Sequence, residues 1–207
     1  MIESITGFII HLIQSSGYPG IFILMVLNAA AIPIPSEVTL PFAGFLANQG
    51  ELTLFFVIIT GVFGDLVGSI IGYSIGFFLE ENLILNLIRK YGKFILLTEH
   101  DYLKTTGWIK KYGVPVVFIG KMTPGVKSFI SVAAGITEIK FIKFVISNIL
   151  SSLIYVSFVS YIGFYLGSKW NVLGGYFRKF EIVVLIAVVL AFFWYINHKL
   201  KLVKLRK

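Results

Sequence analysis

The first 79 residues alternate between apolar stretches and short polar breaks. Isoleucine and leucine recur at helical spacing over 2–16, which predicts an amphipathic helix in the membrane interface. Residues 52–79 predict one continuous transmembrane helix. Residues 19–48 are also apolar, but a spanning helix needs about 20 unbroken residues. Here two half-helices in a re-entrant hairpin fit better, because three prolines interrupt the stretch: Pro33, Pro35 and Pro41.

The second half of the chain repeats this order after a polar interval, residues 80–113. Residues 114–136 form another apolar stretch, broken at Thr123-Pro124-Gly125, and predict a second re-entrant hairpin. Residues 144–168 predict a second continuous span. The C-terminal region adds a shorter span at 180–198 and a basic tail at 199–207.

The two halves also resemble each other in sequence. Residues 17–23 (GYPGIFI) resemble 112–118 (YGVPVVF), and both stretches continue to an Ala-Gly pair. Each half therefore has one hairpin and one membrane crossing, and a single crossing turns the second half upside down. Inverted repeats with broken helices near the midplane are typical of transporters. We predict an all-α membrane protein with a single polytopic domain, 1–207, whose repeats are 1–79 and 114–168.

Composition excludes most other classes of protein. The 207 residues are 57% hydrophobic and 14% charged, with a mean hydropathy of +0.89. Soluble domains average about 45–50% apolar and about 25% charged residues. No cysteine is present, and the three histidines are far apart, so disulfides, thiolate sites and metal centres are not expected. We expect no catalytic residues, no cofactor and no enzymatic activity.

Charge is distributed unevenly along the chain. Residues 1–88 contain six acids and no lysine or arginine, whereas residues 89–207 contain all 18 basic residues and four acids. Such asymmetry sometimes indicates nucleic-acid binding. In so apolar a chain it indicates orientation instead, because cytoplasmic loops collect lysine and arginine. We expect a multi-pass protein of the cytoplasmic membrane with residues 80–113 and the C-terminus on the cytoplasmic side.

Four ionisable residues are predicted at membrane depth: Glu37, Asp65, Lys121 and Lys127. A charge at the bilayer centre costs at least about 2.5–3.5 kcal/mol on insertion scales. Two acids and two bases therefore favour pairing between the repeats. They could serve only as ion pairs that lock the hairpins together, or they could line a water-filled functional cavity.

Local sequence gives these residues possible roles. Glu37 follows Pro35-Ser36 and is predicted in the first turn of a half-helix, where the helix dipole favours an anion. Thr123-Pro124-Gly125 predicts the cap, first turn and close-approach glycine of another half-helix. Its free N–H groups, with Lys121 just before them and Lys127 and Ser128 one turn after them, form a predicted phosphate site. Glu37 or Asp65 would then handle protons.

Glycine recurs every four residues along the first predicted span, at Gly64, Gly68, Gly72 and Gly76. Such a face lets membrane helices approach closely. By the same i, i+4 rule, Asp65, Ser69 and Tyr73 form a polar stripe beside it.

These motifs resemble those of the DedA family, also called the SNARE-associated or VTT-domain family. Residues 32–44 (IPIPSEVTLPFAG), 64–76 (GDLVGSIIGYSIG) and 118–128 (FIGKMTPGVKS) are similar to its three signatures, in the same order. The resemblance implies two opposed re-entrant hairpins and proton-motive-force-dependent translocation of a membrane lipid. The implied cargo is undecaprenyl phosphate, another polyprenyl phosphate or a phospholipid. It also implies that Lys121 and Lys127 replace the family's hairpin arginines.

Two departures from the family pattern bear on the site. Many members have glutamate where this chain has Asn28, and lysine lacks the planar bidentate fork that arginine offers a phosphate. The main expectation is a flippase that recycles a polyprenyl phosphate. The alternatives are phosphatidylethanolamine translocation, a proton-coupled small-ion antiporter and a purely structural membrane protein. A homo-oligomer is compatible with the sequence.

Overall fold

The computed structural model describes residues 2–32, 34–79, 85, 99–123 and 126–167. This part of the chain is all-helical, as the apolar periodicity predicts, and has no strand. The helices are α1 Ile2–Ser16, α2 Tyr18–Ala29, α3 Ser36–Asn48, α4 Leu54–Phe78, α5 Glu99–Tyr112, α6 Val114–Met122, α7 Lys127–Ile136 and α8 Phe141–Leu166.

The two longest helices are α4 and α8, with 25 and 26 residues and mean hydropathies of 2.2 and 1.8. Both are long and apolar enough to cross a membrane. They confirm a continuous apolar helix, a candidate membrane span, in each of the two stretches predicted at 52–79 and 144–168. Helix α8 starts at Phe141, earlier than predicted, because Lys143 is exposed and its charge does not have to be buried.

The outer faces of these two helices are strongly apolar. Phe55 and Phe78 on α4 are 64% and 79% exposed, and Ile142 and Tyr165 on α8 are 64% and 77% exposed. Soluble proteins rarely expose contiguous apolar surface of this kind. Together with the composition, these faces identify an integral membrane protein.

Helices α2 and α3 have 12 and 13 residues, so each is too short to cross a bilayer alone. Ala31, between them, has a φ of 71°, which is uncommon for a residue other than glycine. Pro35 is the N-cap of α3. The prediction that Pro41 interrupts this stretch is wrong, because Pro41 lies inside α3. So near the start of the helix, the proline removes only one hydrogen bond of the first turns.

Helices α6 and α7, with 9 and 10 residues, are also too short to span. Helix α6 starts as α2 does. Gly113 and Gly17 precede these helices with φ angles of 70° and 60°, and a proline follows at the second helical position. Glycine tolerates the positive φ, and proline in the first turn loses no helical hydrogen bond.

Helix α3 packs against α8, and α7 packs against α4, with backbones in close contact. A Cβ atom added to any of four glycines would lie 2.0 or 2.1 Å from a backbone oxygen of the facing helix: Gly44, Gly163, Gly76 and Gly135. Only glycine permits this approach, because every other residue carries a Cβ.

The predicted glycine face of α4 is also in close contact with α2. A Cβ atom at Gly64 would lie 2.8 Å from the Phe22 carbonyl oxygen, and one at Gly68 would lie 2.2 Å from that of Val26. Gly72 faces Ser131 of α7, where an added Cβ would lie 3.2 Å from the Ser131 Cβ. One glycine stripe thus brings α2 and α7 onto the same helix.

Two apolar clusters fill the interior of the described part of the chain. One includes Ile21, Leu40 and Val156, and the other includes Val117, Ile130 and Phe144. Each draws side chains from both halves of the sequence, so neither predicted repeat has a core of its own.

Several predicted features lie outside the described residues. They are Pro33, most of the polar interval at 80–98, Pro124, Gly125, residue 168, the span at 180–198 and the tail at 199–207.

Candidate functional site

Asp65 is the most fully bonded charge of the site. It lies on α4 and is 4% exposed. One carboxylate oxygen, Oδ2, is 3.4 Å from the ammonium nitrogen of Lys121. The same oxygen accepts hydrogen bonds from Ser69 and Asn148, each at 3.4 Å, and from Ser152. A buried carboxylate needs such partners, because desolvation without them costs several kcal/mol or more.

Lys121 is equally well satisfied. It lies in the last turn of α6, where the helix dipole favours a cation. Its ammonium donates to Ser69 Oγ at 2.5 Å and to Asp65 Oδ2 at 3.4 Å. Lys121 and Asp65 therefore form a buried ion pair that joins α4 and α6.

A second group of charges combines Glu37, Tyr155 and Lys127, from α3, α8 and α7. The Tyr155 hydroxyl donates to Glu37 Oε1 at 2.9 Å. The Lys127 ammonium lies 4.5 Å from the centroid of the Tyr155 ring, in cation–π geometry. Tyr155 is 5% exposed, while Glu37 is only partly buried. One buried ring thus contacts the acid through its hydroxyl and the base through its face.

Lys127 differs from Lys121 in having no hydrogen bond. It is 2% exposed, and its Nζ has no hydrogen-bond partner among the described residues. The negative charges of Glu37 and Asp65 both act on it. Lys127 is also the first residue of α7, whose first N–H groups at Lys127, Phe129 and Ile130 donate to the Thr123 and Val126 carbonyls. Its ammonium, by contrast, is left without a hydrogen-bond partner among the described residues. A buried ammonium in this condition is well suited to receive an anion.

Other buried polar atoms also lack a hydrogen-bond partner within the described part of the chain. They include Asn28 Oδ1, Ser131 Oγ, Ser147 Oγ, Asn148 Oδ1 and Ser160 Oγ. Native proteins satisfy such groups with water or a ligand. The interior around the four charges is therefore polar enough to hold water.

One sequence-based assignment at the site is wrong. Thr123 was expected to cap the helix that carries Lys127, but it ends α6 and donates its hydroxyl to the Ile119 carbonyl at 2.9 Å. Val126 is the N-cap of α7 instead, so Lys127 is the first helical residue and not one turn further in. Ser128 follows Lys127 and is partly buried. Glu37 lies in the first turn of α3, as expected.

Three residues that contact the charges are not among those predicted from the sequence. Asn148 and Ser152 reach Asp65, and Tyr155 reaches Glu37 and Lys127. They lie on one face of α8 at intervals of four and three residues. The i, i+4 rule that identified the stripe on α4 also places Asn148 and Ser152 on one face, whereas Tyr155 is distinguished from the other tyrosines of α8 only by its burial.

Within the described ranges, no group of three or more acidic, histidine or cysteine residues could hold a metal ion. The arrangement combines buried ammonium groups, a helix N-terminus, a partly exposed carboxylate and a phenol. It can bind an anion and exchange a proton close by.

Comparison with known proteins places these residues in a family. The VTT domain matches residues 34–165. The chain is 31% identical over 97% of its length to undecaprenyl phosphate transporter A of Bacillus subtilis, covering 98% of that protein. It is 30% identical to undecaprenyl phosphate transporter A of Staphylococcus aureus, over 87% of this chain and 91% of that protein.

A relative with a different name is the alkaline phosphatase-like protein of Lactococcus lactis subsp. lactis strain IL1403. It is 30% identical, over 89% of this chain and 86% of that protein. No solved structure matches the chain. The VTT match covers the short helices α3, α6 and α7, both long helices and all four charged residues of the site. The resemblance to the DedA signatures is therefore confirmed, and the chain belongs to the VTT-domain family.

Proposed function

We propose that this protein moves undecaprenyl phosphate, or a closely similar polyprenyl phosphate, across the cytoplasmic membrane. The observation that carries the proposal is the ammonium of Lys127, the first residue of α7, which is buried and has no hydrogen-bond partner within the described ranges. A phosphate monoester offers the negative charge and the acceptor oxygens that such a group requires. Relatives similar over nearly the whole chain bear the name undecaprenyl phosphate transporter A.

We propose that this transport uses an inverted repeat of two re-entrant hairpins, α2–α3 and α6–α7. Both hairpins start at a positive-φ glycine followed by proline. The second half-helix of each hairpin packs against the long helix of the other half through paired glycines. Broken helices that meet near the midplane are where transporters bind charged substrates.

In this proposal the phosphate binds at Lys127, with Ser128 and the α7 N-terminus nearby, while the polyprenyl tail stays in the lipid. Lys121 adds positive charge, but its hydrogen bonds are already made to Ser69 and Asp65. No covalent bond to the substrate is required, so the protein acts as a transporter and not as an enzyme. Recycling of the carrier would run from the outer to the inner leaflet, with the C-terminus in the cytoplasm.

Protons are the proposed driving ion, and Glu37 is the better of the two acids for exchanging them. It is partly exposed and has a single described hydrogen bond, whereas Asp65 is buried against a cation and three donors. In Glu37→Gln, transport should lose its dependence on a pH gradient. Transport in that variant that still follows the gradient would contradict this assignment.

The test is translocation in proteoliposomes containing undecaprenyl phosphate. A membrane-impermeant phosphatase reports the fraction of lipid in the outer leaflet over time. Lys127→Met should slow translocation by roughly 10–100-fold, because hydrogen bonds to charged groups contribute about 1.5–3 kcal/mol. Lys143→Met is the matched control, because Lys143 is exposed at the start of α8.

Three outcomes would overturn the proposal. Equal movement of phosphatidylethanolamine would indicate a general phospholipid translocase. Proton flux in vesicles without undecaprenyl phosphate would indicate a small-ion antiporter. No transport of any of these, together with stability loss in Lys127→Met, would indicate a structural role.

A further inference from the structure

Tyr155 is the one described side chain that contacts both the acid and the base of the second charge group. Its hydroxyl donates to Glu37 Oε1 at 2.9 Å, and the face of its ring lies 4.5 Å from Lys127 Nζ. The sequence offers no reason to separate it from the lipid-facing tyrosines of the same helix, Tyr161 and Tyr165, which are 56% and 77% exposed. Tyr155 is 5% exposed.

Charge balance explains why this contact matters. Asp65 and Lys121 neutralise each other, which leaves one carboxylate, Glu37, for one ammonium, Lys127. A phosphate arriving at Lys127 places a second anion beside the same cation. Two anions that share one cation in a largely buried site repel each other, which favours proton uptake by one of them.

We propose that Tyr155 is the positioning residue that links phosphate binding at Lys127 to proton uptake at Glu37. In the empty site the phenol donates to the Glu37 carboxylate. When phosphate binds, Glu37 takes a proton from solvent and donates it as a hydrogen bond to the Tyr155 oxygen. The phenol then turns its own proton toward the phosphate. No covalent bond other than the new O–H of Glu37 is formed, and one proton enters for each phosphate.

The groups on the neighbouring helices indicate that Glu37 is the acid that takes up this proton. Helix α7 presents Lys127 to it and α8 presents Tyr155. Helix α4 holds Asp65, which is engaged by Lys121, and α2 contributes the neutral Asn28, whose amide donates to the Ile34 carbonyl. On α1, which also packs against α3, His11 is exposed.

The inference rests on the proposed function and is tested by calorimetry in lipid nanodiscs. Farnesyl phosphate is the probe, and farnesol is the control without phosphate. Titration in two buffers of different ionisation enthalpy gives the number of protons taken up per ligand bound. We expect about one more proton for the wild type than for Glu37→Gln, because only the wild type has an acid that can neutralise. That difference also removes the phosphate's own proton uptake from the comparison.

Two substitutions separate the role of the Tyr155 hydroxyl from that of its ring. Tyr155→Phe keeps the ring under Lys127 and removes the hydroxyl. It should weaken binding by about tenfold, as expected for one hydrogen bond, and should lower the Glu37-dependent proton uptake by at least half. Tyr155→Leu also removes the ring, and should weaken binding further. Tyr161→Phe is the matched control and should behave as the wild type in affinity and proton uptake.

The outcomes separate this inference from the proposed function. Phosphate binding with full proton uptake in Tyr155→Phe would overturn the inference alone, because the coupling would then act directly between the charges. Complete loss of binding in a folded Tyr155→Phe would also overturn it, because the hydroxyl would then contribute far more to binding than the one hydrogen bond to phosphate that the inference gives it. No binding of farnesyl phosphate by the wild type would overturn both.

Discussion

The two charge groups of the site each pair one acid with one base, but they differ in burial and in hydrogen bonding. Each contains one carboxylate and one ammonium that lie between the helices. In the first, Asp65 and Lys121 are both buried and make direct hydrogen bonds to each other and to neutral donors and acceptors. In the second, Glu37 is partly exposed, and the Lys127 ammonium is buried with no hydrogen bond to any described residue. We call the Asp65–Lys121 group closed, because its hydrogen bonds are complete, and the Glu37–Lys127 group open, because its ammonium has no hydrogen bond to a described residue.

The difference shows how a membrane protein can keep charges for two purposes. A buried ion pair contributes stability only when its hydrogen bonds are complete, and the first group meets that condition. The second group leaves an ammonium in a costly state, which only a ligand or water can relieve. Under the proposed function, fold and binding therefore depend on different pairs of residues, although all four look alike in the sequence.

Breaking the closed group should have the largest effect on stability. Lys121→Met strands the Asp65 carboxylate in the interior, and the loss of one partner of a buried pair costs about 3–5 kcal/mol. We expect a large fall in the thermal unfolding midpoint of the purified protein in detergent.

The double variant Asp65→Asn with Lys121→Met serves as the control for this prediction. It removes both charges and keeps an acceptor for Ser69 and Ser152, so most of the lost stability should return. Equal instability of the single and double variants would show that packing, and not charge, accounts for the loss.

A smaller effect is expected from removing one donor of the closed group. Ser152→Ala takes away a hydrogen bond to the buried Asp65 carboxylate, which should cost about 1–3 kcal/mol. Ser147→Ala is the matched substitution on the same helix. The Ser147 hydroxyl is buried and has no hydrogen-bond partner among the described residues, so its removal should be nearly neutral. Similar unfolding midpoints for the two variants would contradict the hydrogen-bonding role of Ser152.

Sequence alone supplied the long helices and the four charges, because both are visible as local pattern. Apolar length predicted α4 and α8, and a charge within an apolar stretch is conspicuous. The sequence alone does not show which acid pairs with which base. Asp65 and Lys121 are 56 residues apart, and only the packing of α6 against the long helices determines which base meets which acid.

The wrong prediction for Thr123 and the missing one for Tyr155 also have physical causes. Thr123 was read as a cap because threonine, proline and glycine together are typical of a helix start, yet its hydroxyl bonds back to the preceding helix. Tyr155 was missed because an aromatic residue in an apolar span resembles its lipid-facing neighbours until its burial is known. In both cases tertiary contacts decide between two local interpretations.

The open group should contribute least to stability, and Lys127→Met tests this. The substitution removes an unpaired buried ammonium, which relieves a desolvation cost, and also removes a cation–π contact of about 0.5–2 kcal/mol. These effects oppose each other, so the free energy of unfolding should change by no more than about 1 kcal/mol. The unfolding midpoint should stay near that of the wild type while binding of farnesyl phosphate weakens by roughly 10–100-fold. If Lys127→Met instead destabilised the protein as much as Lys121→Met, the second ammonium would be a structural partner as well, and the distinction between a closed and an open group would fail.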